Sequence, residues 1–209
     1  MSIPIKVSII KKISNLRKQR AFTFTLGISF ILLCSIESSR AEDTYSTAIY
    51  GALMADNNLG SVFLSPDLDS SYSLLTLVVN RKVAQYKRCI DFGFEGQIVK
   101  HCGNQHHMEL NGVFVSRWLP FPWDQILDTS IAVGEGISFA TEIPEWEKQR
   151  HPHVSQLLNY LLFELSFSLP SFPKWGLIAR IHHRSGVLGL FNHVHGASNA
   201  LGLGLRYTF

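Results

Sequence analysis

Two side chains one residue apart carry the most chemistry in this sequence: His183 and Ser185, in the run RIHHRSG. A serine hydroxyl is a poor nucleophile until a base removes its proton, and an imidazole with a pKa near neutrality is well matched to that task. At a spacing of i and i+2 the two share a face only if the backbone is extended. The chemistry they then offer is acyl transfer through a serine ester. The other histidines offer a second theme. His101, His106 and His107 cluster with Cys102 in one proposed loop, and imidazole with thiolate suits zinc, although solvated loop histidines are the simpler expectation. His193 and His195 follow the pair closely, and His151 and His153 flank Pro152 without a ligand-like spacing.

The element that must hold the pair is a strand, and the alternation around it supports one. Trp175, Leu177, Ala179 and Ile181 fall on one parity, and Gly176, Arg180, His182 and Arg184 on the other, with Ile178 breaking the pattern. Continued, the pleat puts His183 and Ser185 on the apolar side. The last nine residues alternate strictly: Leu201, Leu203, Leu205, Tyr207 and Phe209 against Gly202, Gly204, Arg206 and Thr208. In the sixth segment Leu161, Phe163, Leu165 and Phe167 oppose Tyr160, Glu164, Ser166 and Ser168. Eight such segments, residues 44–54, 71–80, 90–99, 108–119, 129–140, 157–169, 175–185 and 199–209, are separated by turn chemistry, and none shows helical periodicity. An even number of strands near ten residues, each with one apolar and one polar face, predicts an all-β fold: an eight-stranded antiparallel transmembrane β-barrel of the outer membrane. A water-soluble eight-stranded barrel is the competing arrangement, with the same strands and the leucines turned inward.

In the membrane arrangement the polar parity fills a lumen about wide enough for side chains alone. Glu164 is then expected to pair with Arg180 or Arg184 across the sixth and seventh strands, and no solute pore is expected. The connections after odd-numbered strands are the longer, polar ones, which places them on the outer side of the membrane. Trp118, Trp123, Trp146 and Trp175 lie near strand ends, as an interfacial aromatic girdle requires. Glu135 falls on the apolar parity of the fifth strand with Ile131, Val133, Ile137 and Phe139, which predicts a bulge that turns it inward.

Residues 1–41 are read as a signal peptide: lysines and arginines from Lys6 to Arg20, an apolar run from Ala21 to Ile36, then Ser39-Arg40-Ala41 at the cleavage site. Residues 42–209 form the barrel domain. The excess positive charge lies in the leader and what remains is slightly acidic, so the basic balance does not indicate nucleic acid. Cys89 and Cys102 would sit at opposite ends of the third strand, too far apart for a disulfide.

On the runs RIHHRSGVLGLF, GASNALGLGLRYTF and LLNYLLFELSFSLP, the chain resembles the PagL-type lipid A 3-O-deacylases, also called acyloxyacyl hydrolases. The likeness spans roughly residues 131–209. It implies an eight-stranded outer-membrane barrel that hydrolyses the ester-linked acyl chain at the 3-position of lipid A. The family's His-x-Ser motif matches His183-Arg184-Ser185. The family's glutamate at the start of the last strand falls on Asn199 here, which can orient the imidazole but supplies no charge; Ser198, the other candidate, is turned inward by parity. The implied catalytic set is His183 as base, Ser185 as nucleophile and Asn199 as orienting residue, with no metal or organic cofactor. The implied partners are lipid A or lipopolysaccharide as substrate, membrane lipids and the outer-membrane assembly machinery, for which the terminal Phe209 resembles the recognition signal. A homodimer is compatible with this reading. The alternative, from another class, is a non-catalytic structural or adhesive outer-membrane barrel.

Overall fold

A computed structural model describes residues 44–209; the proposed signal peptide lies outside the described residues. Eight antiparallel strands close on themselves: β1 (Tyr45–Ala55), β2 (Leu68–Tyr86), β3 (Ile90–Gly103), β4 (Met108–Trp118), β5 (Asp128–Ala140), β6 (Leu157–Ser168), β7 (Trp175–Ser185) and β8 (Ala197–Thr208). Neighbours in sequence are neighbours in the wall, and β1 closes onto β8. Closure leaves no open sheet edge.

The pleat sends the apolar parity outward. Leu203 is 72% exposed and Leu177 63%, while Arg180 is 2% exposed. A water-soluble barrel would show the reverse, so the soluble arrangement is excluded and the outer face is built for lipid. Ile178, the residue that broke the pattern, points inward and packs with Tyr50, Leu74 and Val78 in the lumen core. The lumen is otherwise ionic. Arg180 donates to Glu95 at 2.6 Å and to Glu164 through a short contact, while Arg117 and Arg206 reach the same Glu164 at 2.6 and 3.3 Å. The expected Glu164–Arg180 pair is therefore part of a larger network.

Four features differ from the sequence reading. β2 runs to Tyr86, beyond residue 80, re-pairing with β3 across a register shift at Lys82/Ala84. Its hairpin closes on Lys87 and Arg88, both with left-handed φ (47° and 56°); charged residues there mark the strand leaving the membrane, not its end. Two short helices interrupt the outer connections, α1 (Leu59–Val62) and α2 (Glu145–Arg150), too brief to show periodicity. Trp146 sits on α2 and is buried against Tyr72, so the exposed girdle consists of Trp118, Trp123 and Trp175 at the opposite end of the barrel. Finally, β5 keeps unbroken register with both neighbours. Glu135 is therefore not bulged inward and stands on the outer face. Cys89 and Cys102 are free thiols at the two ends of β3.

Candidate functional site

The site begins with the residue between the pair. Arg184 points into the lumen, where it donates to Ser138 Oγ (2.8 Å) and to Glu147 on α2 (2.6 Å). Ser198, inward on β8 as parity required, donates to the same Glu147 carboxylate at 2.9 Å. Burial raises the Glu147 carboxyl above its usual range, against the pull of Arg184. These bonds fix the inward side of the ends of β7 and β8. By alternation they fix the outward side too, turning His183, Ser185 and Asn199 to the outer side of the wall.

His183 and Asn199 are direct partners in the β7–β8 ladder, and His183 Nδ1 lies 2.7 Å from Asn199 Oδ1. The amide's orientation follows from its other end, because Nδ2 donates to the carbonyl of Asn57 at 2.8 Å. A carbonyl only accepts, so Oδ1 must face the ring and the ring proton must lie on Nδ1. The Nε2 lone pair is left without a hydrogen-bond partner among the described residues, which is the protonation state a general base needs. Asn199 thus holds the imidazole in one orientation and one tautomer.

Both residues sit on the outer face, yet His183 is only 7% exposed and Asn199 3%. The covering is the β1–β2 connection, a contact no local pattern announces. It folds down outside the wall, packing Val62 against Ala55 and Ile181 with Leu59, Phe163 and Leu201 around them. Phe63 meets Phe163 edge-on at 5.1 Å. Asn58 caps α1 by accepting from the Ser61 amide at 3.1 Å. The result is an apolar floor beside a polar pair.

Ser185 is half-buried, on the same face as His183, and its hydroxyl makes no hydrogen bond to the imidazole in this conformation. Opposite it on β6 stands Asn159, an outward polar residue the sequence reading passed over. Its amide donates to Gly136 O at 3.2 Å and approaches Glu135 Oε1 at 3.4 Å. Glu135, Asn159, Ser185, His183 and Asn199 therefore form a polar row across four strands of an otherwise apolar surface. Glu135 was legible as an anomaly of parity; Asn159 was too, among Leu157, Leu161 and Phe163.

Beyond Ser185 the chain turns sharply. A Cβ on Gly186 would lie 1.9 Å from Val194 O, so only glycine fits. The Gly186 amide is engaged with Gly196 O, which removes it as an oxyanion donor. Val187 and Leu188 adopt left-handed φ (47° and 56°) and their amides have no backbone partner, so they are the free donors nearest the serine.

The histidines outside the pair divide. His193, His195, His106 and His153 are exposed. His151 braces the start of β8 through Ala197 O at 2.9 Å. His101 and His107, expected to be solvated, are buried inside the barrel, where they converge with Glu109 in a group able to hold a metal ion; Cys102 is not among the converging ligands.

No protein-family model matches the chain, and no curated protein does. Solved structures do. The outer membrane enzyme PagL is 12% identical and superposes with a TM-score of 0.51, covering 78% of this chain and 98% of that one. Neisserial surface protein A is 12% identical with a TM-score of 0.48, covering 79% and 97%. OprG from Pseudomonas aeruginosa is 11% identical with a TM-score of 0.44, covering 84% and 99%. At such identities the likeness to the first establishes the eight-stranded outer-membrane barrel fold and nothing finer.

Proposed function

We propose that this barrel is an ester hydrolase of the bacterial outer membrane, exported through its signal peptide, that removes the 3-O-linked acyl chain of lipid A. The observation that carries the reading is the His183–Asn199 pair, held in the base-competent tautomer on a lipid-facing wall, with Ser185 two residues along the strand. In the reaction, His183 Nε2 takes the Ser185 hydroxyl proton as Oγ attacks the ester carbonyl. The amides of Val187 and Leu188 are the donors available to the oxyanion. Collapse expels the sugar oxygen, which takes the proton from the imidazolium and leaves as the free hydroxyl. Water then releases the fatty acid from Ser185 by the reverse proton route. Asn199 holds the ring but offers only a dipole to the imidazolium, so its contribution is orientation.

A non-catalytic barrel is favoured by one observation, the missing hydrogen bond between Ser185 and His183; such bonds often tighten only on substrate binding. Mass spectrometry of lipid A from cells expressing wild type, Ser185→Ala and Asn199→Ala separates the two. Hydrolysis predicts loss of one 3-hydroxyacyl chain with wild type and intact lipid A with Ser185→Ala. Asn199→Ala should be slowed about 10²-fold, the scale of a misplaced catalytic group. Unchanged lipid A in all three, with the barrels folded in the outer membrane, assigns the protein to the structural class.

A further inference from the structure

We propose that the outer end of the lumen is a binding site for a zinc-class divalent cation, with His101, His107 and Glu109 as ligands. This site is separate from the lipid-facing pair and does not depend on its activity.

The three residues come from the end of β3, the β3–β4 connection and the start of β4. Each offers one ligand atom, all within 4.8 Å of one another, and all three residues are buried. In a tetrahedral zinc site, ligand atoms ~2.0–2.2 Å from the metal lie ~3.3 Å apart, so rotamer adjustments of about an ångström bring them into coordination. Two imidazoles and a carboxylate are a donor set zinc uses, leaving a fourth position for water.

The decisive observation is His107. Among the described residues its Nε2 is buried with no hydrogen-bond partner, a state that costs free energy unless something completes it. The His101 and His107 rings stack at 4.0 Å with 19° between planes. His101 Nε2 lies 3.0 Å from Glu109 Oε2, where a proton now bridges the two and a cation could replace it.

The surroundings form an outer shell of the kind that orients metal ligands. His182 Nε2 holds the other Glu109 oxygen at 2.9 Å, and Tyr50 and Tyr160 hydroxyls hold His182 Nδ1 at 3.0 and 3.2 Å. Gln105 contacts His101 Nδ1 at 2.9 Å. On coordination through Nε2, the His101 proton moves to Nδ1 and the Gln105 amide turns its oxygen to accept it, giving up its 3.3 Å bond from the Trp146 amide. The charge balance favours a cation as well. Arg184 sits 3.8 Å from Glu109 but is paired with Glu147 at 2.6 Å, so its charge is shared between two carboxylates.

The test is titration of the purified, detergent-folded full-length barrel with ZnCl₂, followed by Co²⁺ as a spectroscopic substitute. Wild type is expected to take up one Zn²⁺, to melt at higher temperature when saturated, and to give the visible absorption of tetrahedral Co²⁺. His107→Ala should weaken Zn²⁺ binding at least about 100-fold, since outer-shell changes alone cost ~10–100-fold. His106→Ala, at the exposed neighbouring position, should leave binding unchanged. Glu109→Gln keeps a hydrogen-bonding side chain while removing the charge, and should also lose the metal. Absence of stoichiometric uptake by wild type, or uptake equal in His107→Ala, overturns the proposal and leaves a hydrogen-bonded lumen network.

Discussion

His182 and His183 are consecutive residues of one strand on opposite sides of the barrel wall, and they are used in opposite ways. His182 is saturated: both ring nitrogens are engaged, Nε2 by Glu109 and Nδ1 by two tyrosine hydroxyls. Its neighbour keeps one nitrogen bound, to Asn199, and the other unengaged among the described residues. A fully bonded imidazole within a closed network is a structural part. One held at a single nitrogen, beside a hydroxyl, can move a proton. The difference is made by the pleat: a single step along β7 exchanges a lumen rich in polar partners for a lipid face that offers almost none. Residue type alone therefore carries little information about role here; the face on which the residue falls carries most of it.

The comparison can be broken or sharpened by mutation on each side. Outside the wall the expected effect is on rate. Ser185→Ala and His183→Ala should each lower lipid A deacylation by about 10³-fold or more, read by mass spectrometry, while heat-modified electrophoretic mobility shows the barrel still closed. Inside, the expected effect is on stability. Glu164→Gln strips the charge from a carboxylate shared by Arg180, Arg117 and Arg206. Leaving buried charges uncompensated costs ~3–5 kcal/mol, which urea unfolding in micelles should report. The same substitution should leave deacylation per folded molecule unchanged; a parallel loss of both would couple the two faces and spoil the contrast.

His182→Phe is the sharper case, because it alters the neighbour of the proposed base. It strands one carboxylate oxygen and two hydroxyls and should cost roughly 1–3 kcal/mol of unfolding free energy, with activity retained. Loss of activity at full stability would show that the lumen network tunes His183 through the strand. The smallest effect is expected at the surface. Hydrogen bonds from Arg150 hold the Asp56 carboxyl below its usual range. A depressed carboxyl contributes stability above its unfolded pKa and loses it as pH falls through the folded one. For so exposed a pair the gain is below ~1 kcal/mol. Asp56→Asn should lower the melting temperature slightly at pH 7, and the difference should shrink as pH falls below the ordinary carboxylate range.

How much of this was legible depended on range. The wall could be read from parity: β7 matches its expected bounds, 175–185, and the faces of β6 and β8 fall as alternation dictates. The His183–Asn199 pair was readable because it lies across one hairpin. The cover over it was not. Asn57 meets Asn199 across 142 positions of chain, and α1 packs on the outside of the barrel through Val62 and Phe63, where periodicity makes no statement. The buried His101 and His107 were misjudged for the same reason: a loop position says nothing about whether the loop folds inward, and here α2 closes over it through Trp146 and Gln105. Glu135 shows the opposite error, in which a correct parity was overruled by the expectation that a carboxylate avoids lipid. The register of β5 sides with parity.

The outward placement of the pair has a consequence for how such a catalyst would be measured. Its reactant would arrive by sliding within a two-dimensional sheet and never through bulk water. The quantity that fills the site is then a mole fraction of the surrounding amphiphile, not a molarity. Adding inert detergent at fixed enzyme and fixed ester would slow the reaction by thinning the surface, while adding buffer would change nothing. Saturation curves plotted against volume concentration would fail to superimpose between micelle preparations, and those plotted against surface composition would collapse onto one line.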